Sequence, residues 1–171
     1  QLLAGEKVVK PKGKDLRIWK TAKLGTGLKT ADEFRGAIKQ SGCLISDWAH
    51  GVLSRSMFSA ISMELDLVVV SVADLGFKKG AYRRDIYEKA QELGLEFCPA
   101  EVGPQLRLQY HDQPKGEWLL IGMEPVPDSD GSLSVFHVER YDDDFWLYGN
   151  VGSPDDFWCP GDRWVFVLPR K

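Results

Sequence analysis

The stretch Gln105-Leu106-Arg107-Leu108-Gln109-Tyr110 alternates polar and apolar side chains without a break. Strict alternation is the signature of a strand with one face buried and one face solvated. It predicts a strand with Leu106, Leu108 and Tyr110 on one side and Gln105, Arg107 and Gln109 on the other. More short runs follow, spaced by turn chemistry. Gln113-Pro114-Lys115-Gly116 leads into Glu117–Glu124, and Asp128-Ser129-Asp130-Gly131 into Leu133–Glu139. Asp142-Asp143-Asp144 leads into Phe145–Gly149, and Arg163–Leu168 closes the series. The pattern predicts an antiparallel β-meander in the C-terminal half.

The N-terminal half reads differently. Thr30 followed by Glu33 is a capping box, and Phe34, Ala37 and Ile38 form one apolar stripe, so a helix over 31–41 is expected, stopped at Gly42. Ser46 can cap a short helix from Asp47 to Leu53. Residues 55–63 fit either a helical turn or a loop. Leu65–Ala73, with Val68, Val69 and Val70 in a row, reads as a central strand. Ala81–Leu93 is helical, with Tyr82, Ile86, Ala90 and Leu93 in a stripe and Gly94 as its stop. No glycine-rich phosphate turn follows the central strand, so nucleotide binding does not extend from this strand–helix pair. Leu16–Leu24 alternates as a first strand. The fold class is α+β: helices and a central strand first, an antiparallel meander second.

The 171 residues fit one domain, and 43% apolar with 27% charged content is that of a globular chain. Residues 1–14, with Lys7, Lys10, Lys12 and Lys14 around Pro11 and Gly13, read as a loose basic lead-in to a single domain over 15–171. The chain begins at Gln1 rather than Met, so a native N-terminus further upstream is expected. No apolar run reaches membrane-spanning length. Cys43, Cys98 and Cys159 are odd in number and far apart, which fits a reducing, cytoplasmic setting rather than a disulfide framework. Net charge is +6 over residues 1–40, −2 over 41–111 and −7 over 112–171. The basic start reads as a neutralising partner of the acidic end within one fold. An acidic chain overall argues against nucleic acid, because phosphate attraction supplies most of that affinity.

The row Gln105, Arg107 and Gln109 is the leading binding candidate, because two amides and a guanidinium offer fixed donors and acceptors to a glycan, a peptide or a carboxylate. The company it keeps depends on hairpin register. With Tyr110 opposite Trp118, the row shares its face with Leu119, Ile121 and Met123; one residue away, it lies beside Trp118 and Glu124. For acid–base chemistry the candidates are Glu101, Glu117 and Glu124, with Arg107 as orienting group. The spacing of the cysteines and histidines suits no metal site, and no cofactor motif is present. Asp128-Ser129-Asp130-Gly131 is better read as a turn than as a calcium loop.

The segments Trp19-Lys20-Thr21, Leu28-Lys29-Thr30, Ile45-Ser46-Asp47-Trp48-Ala49 and Cys98 to Tyr110 resemble a family of uncharacterised bacterial proteins from about residue 17 onward. The resemblance implies a bacterial origin and assigns no activity. Two readings stand: a domain that binds a polar small molecule, glycan or protein, and a hydrolase using Glu101 or another carboxylate.

Overall fold

The computed structural model describes residues 16–170, so the basic lead-in over 1–14 lies outside the described residues. Strands are β1 (Lys20–Leu24), β2 (Leu44–Ile45), β3 (Met63–Ser71), β4 (Ala81–Tyr82) and β5 (Trp118–Ile121). They continue as β6 (Val126–Pro127), β7 (Leu133–Tyr141), β8 (Asp144–Val151), β9 (Phe157–Trp158) and β10 (Arg163–Val167). Helices are α1 (Ala31–Gln40), α2 (Asp47–Ser54), α3 (Arg83–Glu92) and α4 (Val102–Gln109). The fold is α+β.

The two helices with written caps form as their sequences dictate. The Thr30 hydroxyl accepts from Glu33 N at 3.1 Å while Glu33 Oε1 accepts from Thr30 N at 3.2 Å, which closes the capping box of α1. Ser46 Oγ accepts from Ala49 N at the start of α2. Helix α3 starts two residues later than its stripe suggests, because Ala81 and Tyr82 pair with Trp158 and Phe157 in a two-stranded ribbon. The first strand is likewise shorter, since pairing with β3 begins at Lys20.

One mixed sheet runs in the order β1-β3-β10-β5-β7-β8-β2, with β6 also on β7. Strands β5, β7 and β8 are antiparallel neighbours, as a meander requires. The last strand, however, crosses back: β10 lies antiparallel to β3 and parallel to β5. It therefore joins the two halves of the chain through one sheet rather than extending the meander at its edge. Residues 65–73 owe their apolar character on both faces to this central position.

Helices cover both faces. Phe136, Val138, Leu119 and Leu147 point to one face, under α4 and α2. Gly103 of α4 seats directly on Phe136, where an added Cβ would lie 2.5 Å from the ring. Trp164 and Phe166 point to the other face, where Tyr87 of α3 meets both rings edge-on at 5.6 and 5.8 Å. The same face of β5, β7 and β8 carries Trp118, His137, Glu139, Trp146 and Tyr148, of which only His137 is buried.

Candidate functional site

The residues that alternate at 105–110 are not a strand. They belong to α4, which runs from Val102 to Gln109. A step of four residues is an even step along a strand and about one full turn of a helix, so six residues satisfy both periods. Pro104 stands in the first helical turn, where its missing N–H costs nothing, whereas Gly103 and Pro104 would weaken a strand. Neither hairpin register expected for Tyr110 and Trp118 occurs, because Trp118 pairs with Glu139 of β7.

On the helix, Glu101, Gln105 and Gln109 become one stripe at a spacing of four. Gln105 Nε2 donates to Glu101 Oε2 at 3.0 Å, and Gln109 Nε2 donates to Gln105 Oε1 at 2.9 Å. The stripe serves the backbone around β1. Gln109 exchanges two bonds with Lys23, Glu101 Oε2 accepts from Gly25 N and Glu101 Oε1 accepts from Ser59 N at 2.6 Å. Gln105 also donates to Thr26 Oγ1. Since β1 ends the sheet, this helix side chain row takes the place of a further strand and protects an edge that would otherwise recruit another chain.

Arg107 points elsewhere and is fully buried. Its Nη1 donates to Gln113 Oε1 at 2.9 Å and to the backbone oxygens of Trp146 and Glu139 at 3.1 and 3.3 Å. Its Nη2 donates to Tyr110 O at 2.6 Å, and its guanidinium lies 5.1 Å from the Phe145 ring. Burial lowers its pKa, offset in part by the neighbouring Cys43 thiol. Gln105, Arg107 and Glu101 are thus interior groups whose hydrogen bonds hold chain segments together, and no open row of donors exists.

The remaining sequence candidates are dispersed. Glu117 accepts from Tyr110 Oη at 2.7 Å and pairs with Arg163 at 2.9 Å. Glu124 is exposed in the loop after β5. Trp118 lies on the sheet face opposite α4, away from Glu117 and the Gln–Arg row, because neighbouring strand residues alternate in direction. The 128–131 segment is a turn, with Asp128 Oδ1 accepting from Asp130 N and Ser132 N. All three cysteines are free thiols. No helix among the described residues is long and apolar enough to cross a membrane.

Trp118 belongs instead to a set that sequence reasoning missed. Its ring sits 5.4 Å from His137, His137 lies 4.9 Å from Tyr148, and Tyr148 stacks on Trp146 at 5.0 Å with planes 20° apart. The signal was present but needed register. Trp146 and Tyr148 are two apart on β8, so they share a face, and the pairing His137 with Tyr148 adds the third ring. Polar groups thread the set. His137 Nε2 contacts Glu139 Oε1 at 3.0 Å, and Asn150 Nδ2 contacts His137 Nδ1 at 3.1 Å. An amide N–H can only donate, so Nδ1 accepts and Nε2 carries the proton that goes to Glu139.

Both imidazole nitrogens are therefore engaged, and His137 orients its neighbours rather than waiting as a free base. Burial, aided by Glu139, Tyr141 and Asp144, raises the Tyr148 pKa, which keeps its hydroxyl protonated as a donor. The arrangement is a half-buried aromatic platform with a carboxylate at its centre. A separate groove of about 490 Å³ beside β3, lined in part by Arg17, Asp74, Lys78 and Leu93, has no such convergence, and Asp74 Oδ2 is occupied by Ser71 N.

No family model, curated protein or solved structure matches the chain.

Proposed function

We propose that this domain binds a polar ligand, a glycan, on the platform of Trp118, His137, Trp146 and Tyr148. The observation that carries the reading is the continuous, half-buried ring surface on β5, β7 and β8. A sugar ring presents an apolar C–H face to stack on aromatic rings and hydroxyls at its rim. Glu139 can accept from such hydroxyls, while the indole N–H groups and the Tyr148 hydroxyl can donate to them. The nearby carboxylates Glu139 and Asp144 favour a neutral sugar over a nucleic-acid strand, whose bases could otherwise stack on the same rings.

The alternative hydrolase reading finds less support. Glu101 is enclosed with its two oxygens accepting three N–H bonds, and Arg107 is buried apart from it on acceptors of its own. A cleft with two convergent, unoccupied titratable groups would favour an enzyme, whereas the platform has the shape of a binding surface.

A calorimetric or thermal-shift screen of neutral oligosaccharides tests the proposal. A ligand should bind the native chain and lose about tenfold or more in affinity, some 1.4 kcal/mol, with Trp146→Ala or Tyr148→Ala. Equal binding by these variants, or no oligosaccharide bound at all, would sink it.

A further inference from the structure

On the same sheet face, beside the first turn of α3, three donors stand without acceptors among the described residues. Arg83 is the first residue of α3 and is buried, with its guanidinium carbon 4.3 Å above the Tyr87 ring. Among the described residues its Nε has no hydrogen-bond partner, and neither do the buried indole nitrogens of Trp158 and Trp164. The three belong to one cluster. Trp164 meets Tyr87 at 5.6 Å and 90°, and Trp158 meets Trp164 at 5.4 Å and 87°.

Every one of these groups donates, and none can accept. The guanidinium cannot shed its charge by losing a proton. Carboxylates nearby are already committed: Asp85 and Asp155 pair with Arg84, and Asp156 Oδ2 holds Ser153 N. Contact with the Tyr87 face offsets only part of the cost of burying a cation. The perpendicular tryptophans let one indole N–H aim at the other's ring, but that leaves the Arg83 Nε without an acceptor. The helix terminus is not what binds here, since Arg83 N and Arg84 N already donate to Asp156 O and Pro154 O.

We propose that Arg83, Trp158 and Trp164 form an oxyanion site that takes a carboxylate. The side-on edge of a guanidinium, Nε with one Nη, matches the two oxygens of a carboxylate, and a planar anion suits a setting of aromatic rings. Trp164 stands in the same cross-strand row as His137, with Leu120 between them, but the site uses none of the platform's residues and does not depend on the glycan reading.

Acetate is the probe, compared with phosphate at matched ionic strength in chloride-free buffer. Melting temperature and tryptophan fluorescence are read for the native chain, Arg83→Met and Trp158→Phe. Acetate should raise the native melting temperature and change its fluorescence. Arg83→Met should melt no earlier than the native chain without acetate and should gain nothing when acetate is added. Trp158→Phe keeps a ring but loses one N–H, so its apparent acetate Kd should weaken about five- to tenfold; this variant carries the test if Arg83→Met fails to fold. An equal acetate response in the native chain and Trp158→Phe, no acetate response in the native chain, or a response to phosphate alone overturns the proposal.

Discussion

Gln109 and Lys23 exchange two hydrogen bonds, the side-chain amide donating to the Lys23 carbonyl at 2.8 Å and accepting from its N–H at 2.9 Å. An amide in this position reproduces what a neighbouring strand would offer, and it does so at the outermost strand of the sheet. Replacing Gln109 with Ala frees both backbone groups. The expected loss is about 1–2 kcal/mol in urea denaturation, with faster concentration-dependent association as the bare β1 edge becomes available. Unchanged stability and association would show that water serves that edge equally well.

Arg107 bonds four acceptors on four residues, so it links α4, the loop after it, β7 and β8. Arg107→Met should destabilise by about 3–5 kcal/mol, because four carbonyl-type oxygens lose their shared donor inside the core. Arg107→Lys should recover little, since a point ammonium cannot span the fork. Chemical denaturation of the three proteins distinguishes this role from a ligand-contacting one, which would leave stability unchanged.

Asp66 accepts two bonds from Arg170 and one from Thr21, and these three bonds hold its pKa below the ordinary aspartate value. Between the folded and unfolded pKa values the unfolded chain binds more protons, so stability there rises with pH. The contribution is complete above the ordinary aspartate value and disappears as pH falls through the depressed one. An acid titration of Tm should therefore be flatter in this window for Asp66→Asn than for the native chain; parallel curves would count against the pair.

Gly103 leaves no room for a side chain. A Cβ there would sit 2.5 Å from Phe136 Cδ2 and 2.7 Å from Phe136 Cγ, a ring that is itself fully buried. Although alanine favours helices, Gly103→Ala should destabilise by about 1–3 kcal/mol through overpacking. The double variant with Phe136→Leu should recover part of that loss in thermal melts. A stabilised single variant would mean that α4 shifts freely on the sheet.

What could be read in advance divides along a physical line. Helix α1 is legible because Thr30 and Glu33 satisfy each other within four residues, and α2 because Ser46 caps its own chain. Strand β3 is legible because β-branched residues in a row leave few alternatives. The 105–110 run is not, since its spacing of four fits a helix and a strand equally. The platform was hidden for a related reason. Trp118, His137 and Tyr148 lie on three strands, and only the pairing of β5 with β7 and of β7 with β8 brings them together.

By itself, then, the chain determined its α+β class, its capped helices and its central apolar strand, all through contacts between residues close in sequence. Tertiary structure decided which period 105–110 would adopt, where β10 would insert and which polar side chains would face solvent. The reason is energetic. Gln105 and Arg107 have intrinsic preferences worth only tenths of a kcal/mol, while the backbone groups around β1, β7 and β8 that need buried partners are worth about 1 kcal/mol or more each.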